Sequence, residues 1–204
     1  MDELDLLKQD WKRQEKNLPH LESDEICIMM HKKSTSIVKW IFIISIAEFL
    51  FWIGIESLSL FDNSYQIIKE IGLEFFYKVS LVINYVAIFI FIYLFYRNYK
   101  RIKTDDSIKV LMRNIIITRK TVKAYVWFNL IFFSISFLIS GYMSMDSVLG
   151  NETVKVKLIS LAILIGALVV ILLLIIGFYV LLYGILTKRL YKNYKILKNI
   201  ERDN

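Results

Sequence analysis

The chain has 204 residues, 56% apolar and 15% aromatic, with one proline and a formal charge of +7. That balance lies outside the range of a water-soluble domain, and the charged residues, 22% of the chain, gather in blocks that leave four long apolar stretches, which also excludes a disordered chain. One cysteine, Cys27, rules out an intramolecular disulfide, and His20 and His31 are too few for the usual zinc or iron ligand sets, so no metal and no cofactor is expected.

Residues 1–20 place Leu4, Leu7 and Trp11 at helical spacing, with acids early, cations late and Pro19 at the end. This is a short amphipathic helix, expected to rest on the protein's own helices, on the membrane or on a protein partner. About 36 mostly polar residues precede the first apolar stretch, unlike a cleaved secretory signal, so the first span is expected to act as an uncleaved anchor.

Residues 21–103 begin with Ser23, a candidate helix N-cap followed by acids, and lead into an apolar span at 37–60. Glu48 lies about eight residues, or roughly 12 Å of helix, beyond Trp40, near the middle of that span. An intramembrane acid serves either as interhelical hydrogen-bonding glue or as a proton or cation site, and Asn84 of the second span (79–96) and Asn129 of the third are its candidate polar companions. No Lys, Arg or His lies deep in a span to pair with it.

Residues 104–204 repeat the plan. Thr104 is a second candidate N-cap, and spans follow at 124–145 and 158–186. Helices are the expected form, because hydrocarbon offers no partner to open backbone groups and the stretches lack the alternation of barrel strands. The last span exceeds the bilayer thickness and continues without a breaker, placing Leu186, Leu190, Tyr194, Leu197 and Ile200 on one stripe. Gly166, Gly177 and Gly184, with Ala162 and Ala167, put small residues along it, suited to close helix packing within the chain or against a second copy.

Lysines and arginines number seven up to Lys39, nine from Arg97 to Lys123 and six after Leu186, against four in the two remaining loops. The positive-inside rule then places both termini and the central loop in the cytoplasm, and an even number of spans agrees by putting the termini on one side. A bacterial cytoplasmic (inner) membrane is the expected location.

Tyr96-Arg-Asn-Tyr-Lys-Arg-Ile-Lys103 after the second span matches Tyr191-Lys-Asn-Tyr-Lys-Ile-Leu-Lys198 after the fourth. Ser23 to His31 resembles Thr104 to Arg113, and Val38-Lys39 recurs as Val122-Lys123. The chain thus reads as all-α: an integral-membrane four-helix bundle of two parallel two-span repeats, each opened by a short cytoplasmic amphipathic helix. Within the matching segments Tyr96, Arg97, Tyr99, Lys100, Arg101, Tyr191, Lys192, Tyr194 and Lys195 suit the membrane interface and anionic headgroups, and no nucleic acid is expected.

There is no Gly-rich phosphate loop, no nucleophile elbow and no His-Glu-x-x-His, so no catalytic residue is assigned. Three readings of function remain, in order: a non-enzymatic regulatory or interaction protein using its cytoplasmic helices, a small transporter or channel subunit centred on Glu48, and a membrane enzyme.

Asp2-Glu-Leu-Asp-Leu-Leu-Lys-Gln-Asp-Trp11, Asp24-Glu-Ile26, His31-Lys-Lys-Ser34 and Ile37-Val-Lys-Trp-Ile-Phe42 with Glu48, together with Thr121-Val-Lys123, resemble uncharacterised small four-span membrane proteins of Bacteroidota. The resemblance covers most of the chain and implies a bacterial membrane protein with no established chemistry. Some of these relatives carry a beta-carotene monooxygenase label. Enzymes with that activity use an iron held by four histidines, which His20 and His31 do not supply, so the activity is not expected here.

Overall fold

The computed structural model describes residues 23–59, 64–104, 107–150 and 152–203. The amphipathic segment with Leu4, Leu7 and Trp11 lies outside them. Every element is helical: α1 (Ser23–Ser59), α2 (Ser64–Glu70), α3 (Glu74–Thr104), α4 (Ile108–Leu149), α5 (Val154–Tyr179), a π-helical turn (Val180–Gly184) and α6 (Ile185–Asp203). Four helical stretches, Glu25–Ser57, Glu74–Lys103, Ile108–Leu149 and Val154–Arg202, are long and apolar enough to cross a bilayer.

Neighbouring helices run antiparallel. Phe42 meets Tyr96 and Phe49 meets Phe89 between α1 and α3, with ring centroids 5.9 and 5.4 Å apart. Phe91 of α3 meets Tyr125 of α4 at 5.1 Å, and Gly141 of α4 faces Leu164 of α5. Ser34 of α1 accepts from Asn193 of α6 at 3.1 Å, which closes the bundle. The outer ends of α1, α3, α4 and α6 therefore gather at one end, here termed the basic end because Lys39, Arg97, Lys123 and Lys188 cluster there. The two hairpin connections form the opposite, turn end.

The helices are far longer than the membrane needs. The 42 residues of α4 make a rod of about 63 Å, against about 30 Å of hydrocarbon. The excess lies mostly at the basic end, where apolar residues recur at helical spacing on otherwise charged helices. That periodicity builds a core containing Val38, Ile102, Leu111, Ile115, Leu190 and Leu197, each no more than 1% exposed. Polar groups inside it are paired: Asn98 donates to Thr121 at 3.0 Å, Asn193 to Ser34, and Thr118 to the Asn114 carbonyl at 2.9 Å. Leu190 and Leu197 of the expected stripe are fully buried, Leu186 and Tyr194 pack against them, and Asn193 joins the same face.

Three expectations change. The helices preceding the two hairpins are not separate: α1 and α4 run unbroken from the basic end through the apolar stretch, since neither contains a glycine or proline at the junction. Thr104 does not cap the following helix. It is the last residue of α3, and Ser107, in an extended conformation, precedes α4 without a side-chain cap bond. The first turn-end loop also contains α2. Its C-terminus closes with Gly72 N–H on the Lys69 carbonyl (3.1 Å) and Leu73 N–H on the Ile68 carbonyl (3.0 Å), a Schellman pair that puts Gly72 at a φ of +76°, where a side chain would be strained.

Candidate functional site

Glu48 is 8% exposed and sits where α1 faces both α4 and the end of α5. Its carboxyl group accepts a hydrogen bond on each oxygen: Tyr179 O–H donates to Oε1 and Tyr183 O–H to Oε2, both at 2.9 Å. Tyr125 of α4 supplies a third hydroxyl beside the same group. The three rings pack on one another, with Tyr125 5.8 Å from Tyr183 and 6.1 Å from Tyr179, and Phe95 of α3 stacks on Tyr183 at 6.5 Å. One acid thereby ties α1 to the fourth apolar helix, with side chains of α3 and α4 completing the wall.

The π turn sets this geometry. A wider turn at Val180–Gly184 rotates everything beyond it relative to an uninterrupted α-helix. Tyr179, at its threshold, and Tyr183, inside it, both point at Glu48, while Leu190 and Leu197 still face the basic-end core. Thr187 bonds back to the Tyr183 carbonyl at 2.8 Å and to the Gly184 carbonyl at 3.1 Å, bracing the far side of the turn.

Asn129 donates to the carbonyl of Tyr125, one turn earlier on α4, at 2.9 Å, so it reaches the cluster only through that residue. Asn84 is elsewhere. Phe49, next to Glu48, meets Phe89 and Tyr85, which leaves Asn84 about one helical turn nearer the turn end. Its Oδ1 is buried without a hydrogen-bond partner among the described residues.

Tyrosine was the missed ligand for the intramembrane acid. Part of the signal was present, because Tyr179 and Tyr183 are spaced four apart within the last apolar stretch and so share one helix face. A second acid on α1 follows the same rule eight residues on: Glu56 accepts from Tyr77 at 3.3 Å and from Tyr85, both on α3. Thus α1 carries two carboxyl groups toward the bilayer, one fastened by tyrosines to the end of the fourth apolar stretch and one to its own hairpin partner.

Among the interface candidates, Tyr96, Arg97, Lys100, Arg101, Tyr191, Lys192 and Lys195 are exposed, while Tyr99 and Tyr194 are half-buried against the core. Tyr191 is taken up by cations of the protein itself: the Arg119 guanidinium lies 4.1 Å from its ring centre and Lys195 Nζ 5.3 Å. A Cβ added at Gly166 or Gly177 would meet nothing within 4 Å, so those small residues make no close contact inside the chain. The close approach is at Gly141 instead, where an added Cβ would lie 2.4 Å from Leu164 Cδ1.

Four antiparallel apolar helices fastened by carboxyl–tyrosine bonds define a multi-pass, all-α membrane protein. Among the described residues no group of His, Cys, Asp and Glu is arranged to hold a metal ion. The chain matches the model of a domain of unknown function, DUF8845, over residues 24–202, and it belongs to that family. No curated protein and no solved structure matches it.

Proposed function

We propose that this is a non-catalytic membrane scaffold of a bacterial cytoplasmic membrane, with both termini in the cytoplasm, whose basic-end bundle presents a rigid helical surface to a cytoplasmic protein in a regulatory or interaction role. One observation carries this reading. The helices continue well past their apolar stretches and close a core around Ile102, Leu111, Ile115, Leu190 and Leu197, a structure that insertion of four spans does not require. Orientation is supported by the charge asymmetry, and a bacterial origin by the resemblance to Bacteroidota proteins. The exposed Arg97, Lys100, Arg101, Lys192 and Lys195 ring that surface and suit anionic headgroups where it meets the lipid.

The proposed duplication draws support from matched residues in matched places. Phe95 and Leu190, Asn98 and Asn193, and Ile102 and Leu197 occupy equivalent positions of the two repeats and are all at most 2% exposed. The two asparagines each donate to a hydroxyl on the opening helix of the other repeat, Asn98 to Thr121 and Asn193 to Ser34.

The runner-up, transport through Glu48, draws on the burial of an acid inside an apolar helix. Against it stand the two phenols that occupy both carboxyl oxygens, as in a rivet between helices. Photo-crosslinkers at Arg113 and Asn199, both exposed at the basic end, are expected to trap one common partner in intact cells, and crosslinkers at Val170 and Leu173 to trap none. Proton or cation flux in proteoliposomes that Glu48→Gln abolishes, with no common partner trapped, would overturn the scaffold reading in favour of transport.

A further inference from the structure

At the basic end, α1 presents His31, Lys32, Thr35, Ser36 and Lys39 along one stripe, and Lys103 at the end of α3 closes over it, forming an open cleft of about 350 Å³. Among the described residues no acid lines the cleft, and Lys32, Lys39 and Lys103 have no ion-pair partner there. Among the described residues these three lysines share one cleft without a carboxylate, and such a positive cleft favours an oxyanion. The walls are held by groups that do not compete for it. His31 donates Nε2–H to the Ile102 carbonyl, which pins α3 to α1 and sets Lys103 beside the stripe. Thr35 donates to the His31 carbonyl at 2.9 Å, leaving Ser36 as the hydroxyl donor facing the cleft. Lys39 precedes Trp40, which is 56% exposed where the apolar stretch begins, so the cleft opens beside the membrane surface.

We propose that this cleft binds a phosphoryl anion, carried either by an acidic lipid headgroup or by a small soluble phosphate, with Lys32, Lys39 and Lys103 as its charge partners, Ser36 as a hydrogen-bond donor and His31 as a positioning residue. The site is separate from the partner-docking reading and does not rest on it.

The test uses the full chain in neutral detergent, with native mass spectrometry to count bound dioleoylphosphatidylglycerol against dioleoylphosphatidylcholine, and with inorganic phosphate as competitor. Phosphatidylglycerol is expected to bind in preference. Each lysine near an anionic group contributes a factor of about five, so the Lys32→Gln, Lys39→Gln, Lys103→Gln triple variant is expected to lose tenfold or more of that binding. A control triple of equal charge change at the exposed Lys109, Lys120 and Lys198 is expected to lose less than threefold. Should phosphate displace the lipid, the site takes soluble phosphate as well; should the lipid resist it, the headgroup is the ligand. Equal losses in both triples, or equal binding of the two lipids with no phosphate bound, overturns the proposal. If the pocket triple does not fold, the wild-type chain decides: phosphatidylglycerol or phosphate is expected to shield Lys32, Lys39 and Lys103 from an amine-reactive label while leaving Lys109, Lys120 and Lys198 exposed to it, and uniform labelling overturns the site.

Discussion

The basic-end half of the bundle and the half beyond Glu48 are built from the same four helical rods, yet they pack by different rules. Toward the basic end, apolar side chains interlock around Ile102, Ile115, Leu190 and Leu197. Beyond Glu48, the buried apolar residues among those described are Leu73, Ile88 and Leu168, and large side chains such as Ile163, Leu173 and Leu174 lie 65% or more exposed. The solvent explains the contrast. Water drives apolar surface together, whereas lipid tails are as apolar as leucine and give helices no such reason to close. In the lipid half, association falls to a few specific contacts: Glu48 with Tyr179 and Tyr183, Glu56 with Tyr77 and Tyr85, and the close approach of α4 and α5 at Gly141.

The contrast breaks most sharply under matched truncations. Leu190→Ala removes a fully buried side chain from the basic-end core and is expected to cost about 2–5 kcal/mol, read as a lowered unfolding midpoint in detergent. Leu173→Ala, 65% exposed toward lipid, is expected to cost about 0.5 kcal/mol or less. Equal losses at the two positions would mean that the halves do not differ in packing.

A smaller effect concerns the carboxyl–tyrosine rivet. A double-mutant cycle between Glu48→Ala and Tyr183→Phe is expected to give a coupling of about 0.6–1.7 kcal/mol, from the average to the largest value for hydrogen bonds between membrane helices. A coupling of zero would show that the bond adds nothing to the joining of α1 with the end of the fourth apolar stretch. Glu48→Ala should cost more than Glu48→Gln, because it leaves two buried phenols without their acceptor.

Two glycines sharpen the comparison within the lipid half itself. Gly141→Ala would place a methyl 2.4 Å from the flexible end of Leu164, forcing a shift expected to cost about 1–3 kcal/mol. Gly166→Ala meets nothing within 4 Å and is expected to be neutral or to stabilise by about 0.5–1 kcal/mol through helix propensity. The reverse order in a thermal-shift series would place the close helix contact on the fourth apolar stretch, outside the chain.

Much of the architecture was legible before any coordinates. Apolar runs long enough for a bilayer give four helices, and Leu190 and Leu197 show their buried face through spacing alone. The site was half legible. Glu48 stands out because an acid inside an apolar stretch is costly, but its partners are easily passed over, since tyrosine is counted with the apolar residues of the composition. Asn84 and Asn129 were natural companions by polarity, yet neither reaches Glu48 directly: Asn84 sits a turn too far along its helix, and Asn129 bonds Tyr125, at its carbonyl and its hydroxyl, rather than the acid.

The sequence by itself determined that hydrocarbon surrounds four helices and that positive charge collects at one end of them, because both follow from composition counted along the chain. Only the tertiary structure decided which helix faces which, that a π turn aims two tyrosines at one acid, and that three lysines from two helices share one cleft. Those arrangements depend on rotation about each helix axis and on relative depth. In a medium that exerts little hydrophobic force between helices, a handful of polar and close-packed contacts set both, and periodicity along the chain does not reveal them.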